Sequence, residues 1–274
     1  MKKKYIVVLF LAISALGFCQ RKPKIKGSRN VVEVRDSLSG FHTIKLASDL
    51  DIVIQKGSFE GYTIEADDNL LDVLRFNISD SILRISSFYK ITRKKKLNIT
   101  VFYSELTELE QNHGSIRMND VVSSERLDIV LGGNAKLELN ASANVLNISM
   151  SDNSKADLNV ASDSLSVILK DRVDAKLFAT GKEHALYMYK NAALRLEGST
   201  DFFMAKLYGS ASLKSELFNT LRTVLIAEDS PTSRVNVSND FQLSSRGGSR
   251  TILYGEAKIT ILDFLDTSKL EKHE

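Results

Sequence analysis

Few residues of this chain are of types that do chemistry, and their spacing keeps them apart. The four histidines, His42, His113, His184 and His273, are scattered over the 274 residues. None lies in the His-Glu-x-x-His spacing that puts two imidazoles on one helix face around a metal. The single cysteine is Cys19, near the start. No Gly-x-Ser-x-Gly elbow presents a nucleophilic serine, and Gly247-Gly248 lacks the lysine and the strand–helix context of a phosphate-binding loop. No catalytic, cofactor-binding or metal-ligating residue is therefore assigned, and no cofactor is expected.

Three groupings could still act. Asp152 and Asp171 align one repeat apart, flanked by Gly133 and Lys190. Stacked carboxylates can hold Ca²⁺ or serve a polysaccharide lyase, but aspartate at a bend is also ordinary turn chemistry. The run Arg93-Lys94-Lys95-Lys96 is the densest positive charge; it reads as a nucleic-acid or lipid-surface patch, or more simply as a solvated hairpin loop between strands. The third grouping is Ile168, Tyr187, Tyr189 and Tyr208. Leu186 and Met188 fall on the inward phase of an alternating strand, so Tyr187 and Tyr189 point out. One repeat earlier Ile168 lies beside Tyr187, and one repeat later Tyr208 lies beside Tyr189. Such an exposed patch suits a glycan or a partner protein. The competing readings are plain cross-strand stacking and cover by the terminal segment.

The elements that must position these residues are strands. Apolar alternation of period two dominates from Val31 onward, as in Leu127-x-Ile129-x-Leu131. The alternation itself repeats. Leu127, Ile129, Leu131, Gly133, Ala135, Leu137 and Leu139 recur nineteen residues on as Leu146, Ile148, Met150, Asp152, Ser154, Ala156 and Leu158. Further copies start at Leu165, His184, Phe203 and, after twenty residues, Thr223. The middle position of the six copies is Gly133, Asp152, Asp171, Lys190, Gly209 and Asp229, mostly residues that tolerate a bend. A small residue usually follows it. Strand, bend, strand at a fixed period means a solenoid, because one copy cannot bury its inner face alone. The fold expected is a parallel β-helix with coils of 19–20 residues, right-handed by the usual rule for parallel crossovers. An antiparallel sandwich would have no reason to repeat its bend at constant spacing.

Residues 31–105 alternate less regularly and are expected to continue or cap the same stack. Asn69–Phe76 and Leu262–His273 are the helical candidates, and residues 251–265 are expected to cap the far end.

Composition adds compartment. Met1–Lys4 is basic, Tyr5–Leu16 is apolar, and Gly17 and Cys19 are small residues before Gln20. This is the layout of a cleaved signal peptide over residues 1–19. Lipidation at Cys19 is disfavoured because the residue before it is the bulky Phe18. Removing Lys2, Lys3 and Lys4 takes the 37 basic residues down to parity with the 34 acidic ones, so a net charge of +3 becomes zero. A neutral exported chain gives no reason to expect nucleic acid, and no transmembrane segment is expected in the mature protein. The domain reading is signal peptide 1–19, linker 20–30, one β-solenoid 31–255, and a C-terminal cap and tail 256–274.

The opening of the solenoid carries a resemblance. Phe41-His42-Thr43-Ile44, Asp51-Ile52-Val53-Ile54-Gln55-Lys56-Gly57, Tyr62-Thr63-Ile64-Glu65-Ala66-Asp67-Asp68-Asn69-Leu70-Leu71 and Ser81-Ile82-Leu83-Arg84-Ile85 run strand, strand, Gly, strand, Asp-Asn-Leu-Leu, strand. Joined to the repetitive stack, they resemble the auto-transporter adhesin head GIN domain family, or DUF2807, over roughly residues 31–255. The resemblance implies a right-handed parallel β-helix in the periplasm or on the outer surface of a Gram-negative envelope. That family has no accepted catalytic motif, so no functional residue is carried over. The function expected is non-catalytic: adhesin-like, or glycan- or ligand-binding through a β-helix face. The alternative is a polysaccharide-active lyase or hydrolase on the same scaffold.

Overall fold

A computed structural model describes residues 22–273. The expected signal peptide, Cys19 and the start of the linker lie outside the described residues. The chain is a β-solenoid of about nine turns, with 72% of residues in strands and 2% in helix.

The N-terminal third builds the first coils and closes their end. Its strands are β1 (Lys24–Lys26), β2 (Val31–Ser37), β3 (Thr43–Leu46), β4 (Asp51–Lys56) and β5 (Gly61–Asp67). The one-turn helix α1 (Asp68–Leu71) is followed by β6 (Leu74–Ser79), β7 (Ile82–Ser87), β8 (Lys90–Arg93), β9 (Leu97–Tyr103) and β10 (Glu108–Gln111). The coil order does not follow the chain. β3 and β4 pair in parallel with β7 and β9 on one side. On their other side lie β10 and the start of β11 (Ser115–Leu131). The chain therefore makes the second coil first, loops out to make the end coil, and returns. Antiparallel strands cover that end coil: β6 lies on β7, β5 on β9, and β2 on β5. The helix expected over Asn69–Phe76 stops at Leu71, and the chain turns extended at Leu74. The reason is packing, since the Phe76 ring stacks on Tyr62 of β5 at 4.1 Å and 18°. Nor is Arg93–Lys96 a hairpin loop; it joins β8 to β9, and β8 pairs with β1 instead.

From β11 the repeat runs as expected. β12 (Lys136–Met150), β13 (Lys155–Leu169), β14 (Asp174–Met188) and β15 (Ala193–Gly209) pair in parallel at offsets of nineteen, as in Leu146↔Leu165 and Leu186↔Ala205. β16 (Ser212–Asp229) carries one extra residue, so Glu197 pairs with Leu217 at an offset of twenty. β17 (Thr232–Ser245), β18 (Arg250–Tyr254), β19 (Lys258–Phe264) and β20 (Lys269–Lys272) complete the stack. Residues 262–273 are thus the end of one strand, a turn and a second strand rather than the expected helix. Asp266, at φ 61°, repeats the bend there, and its carboxylate accepts from Gly247 N–H at 2.9 Å.

Each coil turns at the bend read from the repeat. Gly133, Asp152, Asp171, Lys190, Gly209 and Asp229 all have left-handed φ, between 53° and 75°. A left-handed residue costs little for glycine and about 1–2 kcal/mol for most others, with aspartate tolerated through local hydrogen bonds. Asp152 Oδ2 accepts from Gly133 N–H at 2.8 Å, and Asp229 Oδ2 accepts from Gly209 N–H at 3.0 Å. The small residues that follow, Ala135, Ser154, Val173, Ala192 and Ala211, are buried in the corner. A second corner breaks the alternation. Buried Ala143 and Leu146 are separated by two outward residues, so the inward phase slips by one.

Lys190 is the bend residue least suited to its backbone. Its ammonium pairs with Asp171 of the coil below, an exposed contact worth a fraction of a kcal/mol. Lys190→Gly is expected to stabilise by about 0.5 kcal/mol, whereas Lys190→Val is expected to destabilise by about 1–2 kcal/mol. Urea denaturation of both variants reads the two opposite signs.

Candidate functional site

The outer face of the sheet formed by the second halves of β13 to β16 carries the expected patch. Inward, Leu186 and Met188 are buried. Outward, the register sets two columns. Ile168, Tyr187, Lys206 and Ile226 stack in one. Lys170, Tyr189, Tyr208 and Glu228 stack beside it, with Tyr208 paired to Glu228. The rings of Tyr189 and Tyr208 lie 5.3 Å apart and 9° from parallel. Lys206 Nζ sits 5.8 Å from the Tyr187 ring centre, and Lys170 Nζ 5.9 Å from that of Tyr189. These are cation–π distances. Burial is the main cause that raises the Tyr208 hydroxyl above its ordinary pKa, followed by Glu228, Tyr189 and Tyr187. All four expected residues share one half-buried surface.

The two lysines over the rings were not expected from sequence, nor was a third column at the patch's edge, where Met204 meets Val224. The signal was present for the lysines: Lys206 is the next-coil partner of Tyr187, and Lys170 neighbours Tyr189 from the preceding coil. What the arrangement offers chemically is ring edges, phenol donors and a cationic flank, all fixed on a rigid sheet.

Asp152 and Asp171 do lie on adjacent coils, the Asp152 backbone N–H bonding the Asp171 carboxylate, whereas the histidines stay apart. The carboxylate of Asp152 serves the Gly133 bend, and that of Asp171 is held below the ordinary carboxylate range mainly by the hydrogen bond from Lys190. His113 bonds Asn134, His42 lies by Thr43 and Thr107, His273 stacks on Tyr254, and His184 is in the interior. Among the described residues no group of three or more His, Cys, Asp and Glu is placed to hold a metal. Among them also, no helix is long and apolar enough to cross a membrane.

This fold and its opening strands match a known family. The model of that family, described as "Putative auto-transporter adhesin, head GIN domain", covers residues 40–257. The chain belongs to the GIN-domain family. Solved structures share the GIN-domain architecture at low identity. One, titled a "putative adhesin" from Parabacteroides merdae, is 12% identical with a TM-score of 0.62, covering 92% of this chain and all of that one. Another of the same title from Parabacteroides distasonis is 12% identical with a TM-score of 0.64, covering 91% and 100%. A third, from the same species and titled a "putative lipid binding protein", is 18% identical with a TM-score of 0.56, covering 92% and 100%. At such identity the likeness is one of fold. No curated protein matches the chain.

Proposed function

We propose that this GIN domain is an exported, non-catalytic protein of a Gram-negative envelope, adhesin-like, that binds a glycan through the face bearing Ile168, Tyr187, Tyr189 and Tyr208. The observation that carries the reading is the pair of parallel tyrosine rings on an outward sheet face, flanked by two lysines. Aromatic side chains that lose little entropy on binding are the usual anchors of a recognition surface. Family membership and the adhesin titles of two structural relatives support an envelope binding role. The non-catalytic reading is supported by the aligned aspartates, which are engaged by the bends.

A glycan array comparing wild type with the Tyr187→Ala/Tyr208→Ala variant tests it. Loss of two aromatic contacts should weaken binding about tenfold or more. Equal binding by both proteins, or binding only to a protein partner, would refute the glycan reading of this face.

A further inference from the structure

A wide cleft lies away from the tyrosines, near the N-terminal end. It encloses about 1020 Å³, at the upper end of the range for small-ligand sites. Its floor is the outer face of four adjacent strands. Asp51 on β4 faces Ser115 on β11, which faces Lys136 on β12. Beside them Thr100 on β9, Val53, Arg117 and Glu138 form the next column. Its overhanging wall is the turn Lys94–Lys96.

That turn is built, not loose. Asp67 is fully buried, and its carboxylate accepts from the backbone N–H of Lys95 at 3.0 Å, Lys96 at 3.1 Å and Arg29 at 3.2 Å. These bonds, that of Lys95 foremost, hold Asp67 below the ordinary carboxylate range despite its burial. Gly27 fits against the same carboxylate, where a Cβ would come within 1.8 Å of Oδ2. A buried charge thus fixes the backbone that carries three consecutive lysines, an arrangement whose side chains repel one another.

The charges around the cleft divide into two sets. Lys96 pairs with Glu65, and Arg117 with Glu138 at 2.7 Å. Among the described residues Lys94, Lys95 and Lys136 have no ion pair, and all three are exposed on the cleft. Across from them Asp49 and Asp51 face the same space with Asn98 and Asn134. Ammonium groups without an ion pair suit an anion. Carboxylates and amides beside them suit hydroxyl groups as hydrogen-bond partners. A nucleic-acid strand fits poorly, because no aromatic side chain lines the cleft to stack a base.

We propose that this cleft binds an acidic oligosaccharide, its carboxylate or sulfate groups met by Lys94, Lys95 and Lys136 and its hydroxyls by Asp49, Asp51, Asn98 and Asn134. The site is separate from the tyrosine face, so either can fail without the other.

Titration calorimetry of the full chain at low salt tests it, with oligogalacturonate and a heparin tetrasaccharide as acidic probes and maltotetraose as the neutral one. Both, or either, of the acidic probes should bind, and maltotetraose should not. Lys94→Ala/Lys95→Ala and Lys136→Ala should each weaken acidic binding about tenfold or more, with added salt acting in the same direction. Tyr187→Ala/Tyr208→Ala should leave it unchanged. The proposal is overturned if neither acidic probe binds, if the lysine variants bind as well as wild type, or if maltotetraose binds equally. It is also overturned if single-stranded DNA or anionic phosphatidylglycerol vesicles compete better than the acidic sugars. Circular dichroism and the melting temperature of each variant confirm that the fold is kept.

Discussion

Gly198→Ala is expected to cost about 3 kcal/mol or more, a large share of the 5–15 kcal/mol that holds a typical domain. Gly198 has φ 112°, a conformation that side chains of L-residues rarely adopt. A Cβ there would lie 2.1 Å from the carbonyl oxygen of Ala179 and 2.9 Å from its carbon. These are backbone atoms of the neighbouring coil, already paired in the ladder, so nothing flexible can give way. Ala179, Gly198 and Phe218 follow one another along the stack, and the buried Phe218 ring packs against Phe203 and His184. This is also where the coil takes its extra residue, with the register shift falling between Arg195 and Glu197. Trimming Phe218 together with the mutation should not rescue it, because the obstruction is the Ala179 backbone. Gly248→Ala is the control. Its Cβ would meet nothing nearer than 3.4 Å, and a cost below about 0.5 kcal/mol is expected. Chemical denaturation of the three variants decides the matter; a Gly198→Ala protein within about 1 kcal/mol of wild type would contradict the steric account.

The body of the solenoid was readable because its spatial neighbours are also neighbours in the repeat. Leu127, Leu146 and Leu165 are nineteen residues apart and touch for that reason. The same rule placed Ile168 beside Tyr187 and could have placed Lys206 on the other side of that ring. At the N-terminal end the rule breaks. Thr43 pairs with Glu108, sixty-five residues on, and with Ile82, thirty-nine residues on. No period links such partners, so the order of the first coils leaves no mark on the sequence. The lysine-walled cleft was hidden for the same reason. It draws on residues 49–53, 94–100, 114–117 and 134–138, and the run Lys94–Lys96 looks like any solvated loop until buried Asp67 is seen to pin it. The C-terminal strands were misread from the opposite cause. Leu262–His273 has several good helix formers, but Asp266 continues the ladder of left-handed bends and stacking on the preceding coil overrides propensity.

The same column logic assigns His184 a cost that appears only in acid. It occupies the inward position that is Leu146 and Leu165 in the two preceding coils and Phe203 in the next. It is 3% exposed, and neither ring nitrogen has a hydrogen-bond partner. Its ring lies 5.8 Å from that of Phe218, nearly parallel. Burial lowers its pKa to about 4; the Ser162 backbone opposes this only weakly, from outside hydrogen-bonding geometry. The unfolded chain binds the proton at the ordinary histidine value of 6.5. Above pH 6.5 both states are neutral and the residue puts no proton-linked load on the fold. As the pH falls below that value the unfolded state takes up the proton and the folded state does not, so stability is lost until the folded histidine itself titrates near pH 4. The loss from this one group should reach about 2 kcal/mol at pH 5 and about 3 kcal/mol at pH 4. Carboxylates held low in the folded state, such as Asp128 and Glu138, act mainly below their ordinary values of 3.8 and 4.5, so the two causes separate between pH 7 and pH 5. His184→Leu restores the apolar column and removes two unpaired polar nitrogens. It should stabilise by about 1 kcal/mol at pH 7 and by about 3 kcal/mol at pH 5, the gap widening as the wild type weakens. Urea denaturation of both proteins at pH 7, 6 and 5 measures that gap directly. If the two stability curves run parallel between pH 7 and pH 5, the buried imidazole is not what couples this solenoid to acid.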